Sequence, residues 1–185
     1  MRGTEVEAVG NLAGDALSGA AGIVGDVHRG VSRRVFGMLG DLAAPVRLAH
    51  DGITVVVNAS VRAGMRAVPS GGGRALALTA PRDAPSLADD PRGALALSAL
   101  NGMWGDRIER DHAALALGMD LRHGGDETAR VAVFVHGLCE TDTAWALGGG
   151  PTYGERLRED LGHTPVYARY NTGRHISDNL SLIHI

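Results

Sequence analysis

The run Val131-Ala132-Val133-Phe134-Val135-His136-Gly137-Leu138 carries a continuous apolar segment straight into His-Gly. An apolar run of this kind suits a strand buried on both faces in a parallel sheet. The carboxyl end of such a strand is where open α/β folds place their ligands. Gly137 lets the chain turn sharply and brings backbone close to a substrate, with no Cβ in the way. The amide of Leu138 is then a candidate donor to the oxyanion that develops when a carbonyl is attacked. Acyl transfer depends on such donors, and losing one typically costs about 2.7–4 kcal/mol. His136, Gly137 and Leu138 are therefore the candidate oxyanion and binding residues.

The remaining reactive side chains point to less. Cys139 adjoins the loop, but no His/Asn partnership accompanies it, so it reads as a small buried thiol. Arg174 and His175 are expected on the surface or packed within a loop. His112, His123, His163 and Asp120 have no metal-ligand spacing, and no metal site is expected. Trp104 and Trp145 read as packing anchors, and Gly148, Gly149 and Gly150 as a flexible loop. No Gly-x-Ser-x-Gly occurs in the chain: Gly30-Val31-Ser32 runs into Arg33-Arg34. No catalytic residue is therefore assigned within these 185 residues.

Taken together, the His136-Gly137-Leu138 strand end, the Trp145 loop and the segment Tyr170-Asn171-Thr172-Gly173-Arg174-His175-Ile176-Ser177-Asp178-Asn179 resemble the esterase/lipase members of the α/β-hydrolase superfamily. The likeness is to bacterial triacylglycerol-lipase-like and PGAP1-like proteins and covers about residues 113–179. It implies a serine hydrolase acting on a carboxylic ester or lipid-like substrate, with no cofactor, and a His136 that positions the loop and does not act as a general base. Nucleophile, base and acid would lie beyond residue 185. The chain by itself is expected to be inactive. A non-enzymatic helical scaffold, or a protein binding lipid surfaces, is the alternative.

Several elements must hold this loop. From residue 4 to about 67 apolar residues recur every three or four positions, as in an amphipathic helix. Pro45 is placed to open a second helix, which completes a helical hairpin. Pro69-Ser70-Gly71-Gly72-Gly73 and the proline-rich residues 81–93 read as linker around Leu76-Ala77-Leu78, and a modest helix follows over about 94–102. Leu115, Leu117, Met119 and Leu121 alternate as in a half-buried strand. Thr152-x-x-Glu155 has the form of a capping box, Gly162 fits a left-handed helix end, and Thr164–Tyr170 reads as the next strand.

The expected class is α/β: an N-terminal helical hairpin followed by the first strands and helix of an incomplete α/β-hydrolase sheet. The expected organisation is a helical region at 1–68, a linker with a short helix at 69–112, and the partial hydrolase domain at 113–179. Residues 180–185 are set apart. Every basic residue is Arg, and the first 179 residues hold four Ile against two in the last three. Leu-Ser-Leu-Ile-His-Ile is what CTG TCT CTT ATA CAC ATC encodes, which resembles a transposase-type sequencing adapter, so these residues are expected to be adapter-derived.

Net charge is −3 with no basic cluster, which argues against nucleic acid as a partner. The N-terminus lacks the apolar core of a secretory signal, no apolar run is long enough to span a bilayer, and a single cysteine suits a reducing, cytoplasmic setting. Lipid-surface association is not favoured, because acidic residues mix with Arg on the helical region. Self-association is the expectation, since Val131–Val135 would form an open sheet edge.

Overall fold

Glycine spacing, more than apolar spacing, explains the first half of the chain. The computed structural model describes residues 1–182, with the side chain of Leu182 left out, so part of the expected tail lies outside the described residues. Two units are present: Val6–Arg82, and Met1–Glu5 together with the chain from Asp83 onward.

In the first unit, α1 (Gly3–Leu39) turns through a short 3-10 segment into α2 (Ala44–Ala77), which has Pro45 in its first turn. Between Val6 and Arg82 the buried residues are all Gly, Ala or Ser. On α1 these include Gly10, Gly14, Ser18, Gly25 and Ser32, at steps of four and seven. Small residues at this period let two helix backbones meet closely. A Cβ added to Gly10 would stand 2.6 Å from the Pro69 carbonyl oxygen and 2.8 Å from the Gly73 Cα.

This contact corrects the linker expected at Pro69–Gly73, because α2 runs through it to Ala77. Pro69 fixes a φ compatible with a helix, and the glycine run supplies the closest approach to α1. Arg66 Nε also donates to Asp15 across the seam at 2.8 Å.

In the second unit, Glu5 anchors the entry. Its carboxylate accepts from Ser86 Oγ at 2.5 Å, from the Leu87 amide at 3.0 Å and from the Arg2 amide at 2.8 Å. Burial pushes its pKa up, but these donors together outweigh burial and hold it below the usual carboxylate range. Asp90 then caps α3 (Pro91–Asp111), accepting from the amides of Arg92 and Gly93. This helix is much longer than expected and kinks at Trp104.

Leu115 and Leu117 do not form a strand. Asn101, fully buried on α3, donates to the Leu97 and Leu115 carbonyls at 2.8 Å and accepts from the Leu117 amide at 3.0 Å. Those backbone groups are thereby bonded to a side chain in place of a ladder, and β1 begins only at Asp120 (Asp120–His123).

The sheet has three strands in the order β1-β3-β2. β3 (Thr164–Arg169) is central, antiparallel to β1 and parallel to β2 (Val131–Val135). α4 (Tyr153–Leu161) connects β2 to β3, with the Thr152–Glu155 capping box at its start and Gly162 left-handed at its end. α5 (Ile176–Leu182) follows. Burial on both faces belongs to β3. β2 is an edge strand whose Val131, Val133 and Val135 are 57%, 54% and 52% exposed, which corrects the expectation drawn from its apolar composition.

The class expected from the sequence is corrected as well. The chain is 67% helical with a small mixed sheet, and it is not an α/β protein built on a hydrolase-type parallel sheet. Three helices, α1, α2 and α3, of 37, 34 and 21 residues, outweigh strands of 4 to 6 residues, and β1 joins antiparallel.

Two substitutions test the seam. Gly73→Val is expected to force α1 and α2 apart and to destabilise the protein by about 1–3 kcal/mol in denaturant melts. Gly72→Ala, with open space around the new methyl, is expected to stabilise by up to about 1 kcal/mol. Equal effects at both positions would show that the seam is not what positions α2.

Candidate functional site

The loop after β2 is built on backbone groups. Gly137 opens a turn closed by Glu140 N donating to Gly137 O at 3.3 Å. Cys139 occupies the left-handed position of that turn, with φ 61°. Type II turns place Gly or Asn there, and a β-carbon in this region costs roughly 1–2 kcal/mol. The loop tolerates the conformation because Cys139 is held on two sides. Its amide donates to Thr172 Oγ1 at 3.1 Å, and Gly102 of α3 is pressed against it, with no room for a Cβ.

His136 is buried beneath the loop, its ring stacked on Tyr170 with centroids 4.3 Å apart. Its Nε2 accepts from the Tyr170 amide at 3.4 Å, so Nδ1 carries the proton and donates to Gly137 O at 3.1 Å. The Tyr170 hydroxyl in turn donates to the His136 carbonyl at 2.7 Å. Both ring nitrogens are used in the neutral form, which leaves no lone pair for general-base work. Burial holds the His136 pKa below the usual histidine value, against a smaller opposite effect of the Gly137 carbonyl. The Tyr170 pKa is raised, by burial and then by Glu140, so its hydroxyl remains a donor.

The three candidate residues thus have distinct placements. His136 is a buried strut. The Gly137 amide donates to Glu140 Oε2 at 3.0 Å, so a carboxylate already occupies that donor. Leu138 is 70% exposed, and its amide has no hydrogen-bond partner among the described residues. Of the Gly137 and Leu138 amides, the Leu138 amide is the one without a partner among the described residues.

The segment after β3 is tied to α3. Asn171 Nδ2 donates to Gly105 O at 3.2 Å, its Oδ1 accepts from the Gly173 amide at 3.1 Å, and its carbonyl accepts from Asn179 Nδ2 at 2.8 Å. Gly173 lies against the α3 backbone, where an added Cβ would stand 2.7 Å from the Gly105 nitrogen. Arg174 pairs with Glu109 at 2.9 Å, and His175 is exposed 3.6 Å from Asp106.

Trp145 packs edge-on against Phe134, which stacks on Tyr167. His112 is buried, whereas His123 and Asp120 are exposed. Among the described residues no cluster of His, Cys, Asp and Glu is placed to hold a metal ion. Trp104 marks the kink in α3, half exposed.

Sequence reasoning missed the ion pair behind the loop. Arg169 Nε donates to Asp142 Oδ1 at 2.5 Å, with both side chains under a tenth exposed, and Arg122 reaches the other carboxylate oxygen at 3.5 Å. No sequence spacing signals this pair, because β3 and the loop after β2 meet only in the fold. The chain matches no family model, no curated protein and no solved structure.

Two outcomes follow from these contacts. Asp142→Asn leaves the Arg169 charge buried and poorly compensated, and is expected to destabilise by about 3–5 kcal/mol in chemical denaturation. The folded state also disfavours the His136 proton, so that part of the stability is full above the ordinary histidine value and is lost as pH falls through the lowered one. Acidification from roughly pH 7 to 5 is therefore expected to destabilise the wild type more than His136→Gln. A variant with the same acid sensitivity would remove His136 from this role.

Proposed function

We propose that residues 113–179 supply the oxyanion-binding side of a serine ester hydrolase whose nucleophile, base and acid are not among the residues of this chain. The unpartnered, exposed Leu138 amide at the carboxyl end of β2 carries this reading. His136, Tyr170 and Thr172 hold the backbone on either side of it, so the donor is positioned before any substrate arrives, which is what transition-state stabilisation demands. The likeness of His136-Gly137-Leu138 and Tyr170–Asn179 to esterase/lipase segments supports the reading as a statement about these loops. The substrate class is a carboxylic ester, including lipid-like esters, and a metal or organic cofactor has no part in the reaction. The single Cys139 supports a reducing, cytoplasmic setting, and no described helix is long and apolar enough to cross a membrane.

A second reading, a non-enzymatic helical scaffold, is favoured by one observation: the large apolar side chains of α1 and α2 are not buried.

Sequencing the parent locus across the codon for Asn179 separates the two. A reading frame that continues into Gly-x-Ser-x-Gly supports the hydrolase, and a stop directly after Ile185 removes it. In a polypeptide that contains the nucleophile, Leu138→Pro deletes the amide hydrogen and is expected to lower kcat by about 10²–10³ with little change in KM. The chain of 185 residues is expected to leave p-nitrophenyl esters unhydrolysed.

A further inference from the structure

The turn from Gly137 to Glu140 is closed twice. The Glu140 amide donates to the Gly137 carbonyl at 3.3 Å, and the Glu140 carboxylate reaches back to accept from the Gly137 amide at 3.0 Å. The next amide, that of Leu138, has no partner among the described residues. Successive amides in a turn can converge on one anion. Here one of the two is taken by a carboxylate of the chain itself.

The two carboxylates that follow β2 are held very differently. The Asp142 side chain is under a tenth exposed and lies between Arg169 at 2.5 Å and Arg122 at 3.5 Å, so its charge is compensated. Glu140 is exposed, and among the described residues no cation pairs with it. One hydrogen bond, open to water, holds its carboxylate, and such a bond is worth little net against solvent. Releasing it takes rotation about side-chain bonds alone, because the backbone bond of the turn is separate. The charge is felt around the loop as well: burial first, and Glu140 second, raise the Tyr170 pKa. An anion arriving at Leu138 thus meets a like charge and finds the neighbouring donor engaged.

We infer, on the hydrolase reading given above, that Glu140 is a built-in competitor for the oxyanion site, which admits uncharged esters and turns away ligands that already carry an anion. A neutral carbonyl docks at the Leu138 amide without opposing the carboxylate. When a serine hydroxyl adds to the carbonyl carbon, its proton passes to a base and the C=O π pair becomes a lone pair on the oxygen. The carboxylate then yields the Gly137 amide, and two donors serve one oxyanion. After hydrolysis the product is itself a carboxylate, and the returning Glu140 side chain favours its departure.

Titration of the full, isotope-labelled chain with methylphosphonate, a tetrahedral anion, tests this through amide chemical shifts at constant ionic strength. In the wild type the Gly137 amide is expected to stay in place and the Leu138 amide to move only at the highest concentrations. Glu140→Ala frees the amide and removes the charge, and is expected to tighten binding by about tenfold with both amides shifting. Glu140→Gln keeps an acceptor for Gly137 and removes only the charge, so it gains about two- to fivefold, chiefly at Leu138. Equal affinity in the wild type and both variants overturns the inference and leaves the oxyanion reading standing. Titrations that shift neither loop amide in any of the three proteins overturn the oxyanion reading, and the inference with it. Spectra that match the wild type away from the loop separate each result from a folding defect.

Discussion

The second unit depends on α3 being bonded to chain segments far from it in sequence. Asn101 satisfies three backbone groups at once, two carbonyls and one amide, at a position with no access to water. The Leu115 carbonyl and the Leu117 amide would otherwise be buried unpaired, at about 1–3 kcal/mol apiece. A side chain that stands in for secondary structure in this way fixes where the segment before β1 runs. About one turn along the same helix, Gly105 accepts from Asn171 and leaves space for Gly173. Because α3 presents glycines to both loops, the strand-end loop at Cys139 and the loop after β3 are held against the same helix, on either side of its kink. The Leu138 amide owes its position to that helix as much as to β2.

The hairpin obeys a different logic. Ordinary amphipathic helices bury Leu and Val and leave small residues wherever they fall. Here the order is reversed: the seam takes the small residues, and the large ones remain outside. Backbone approach of this kind gains dispersion contacts and hydrogen bonds across the helices but little transfer of apolar area from water. The apolar exterior is therefore the part of the unit with most to gain from being covered.

What could be read from the sequence was local. The Thr152–Glu155 box, the left-handed Gly162, Pro45 in the first turn of α2 and the strands at Val131 and Thr164 all depend on residues within a few positions of one another, and each has a stereochemical signature. The errors share a different origin. Pro69 and three glycines read as a chain break because their use, an approach to Gly10, lies some sixty residues away. Leu115 and Leu117 alternate like a strand, but Asn101 competes for their backbone groups and wins. Val131–Val135 has the composition of a buried strand, and burial depends on neighbours that composition does not report. At the site, the loop-positioning role expected of His136 came from the family resemblance and not from residue spacing. The Glu140 carboxylate on the Gly137 amide and the Arg169–Asp142 pair had no sequence signal, since both are products of the turn and of the strand pairing.

The order of the sheet has a consequence for how the chain is made. β1 and β2 are neighbours in sequence yet do not pair with each other, and the strand that joins them is the last of the three described strands to be synthesised. Until residue 169 has left the ribosome β1 and β2 have no β3 to pair with, and they remain two short segments, one of them five apolar residues long. Helices α1, α2 and α3 need no such wait, because their backbone bonds close within four residues. The nascent chain thus passes through an interval in which its helices are complete and Val131–Val135 is uncovered, an interval set by the rate of translation through roughly thirty codons.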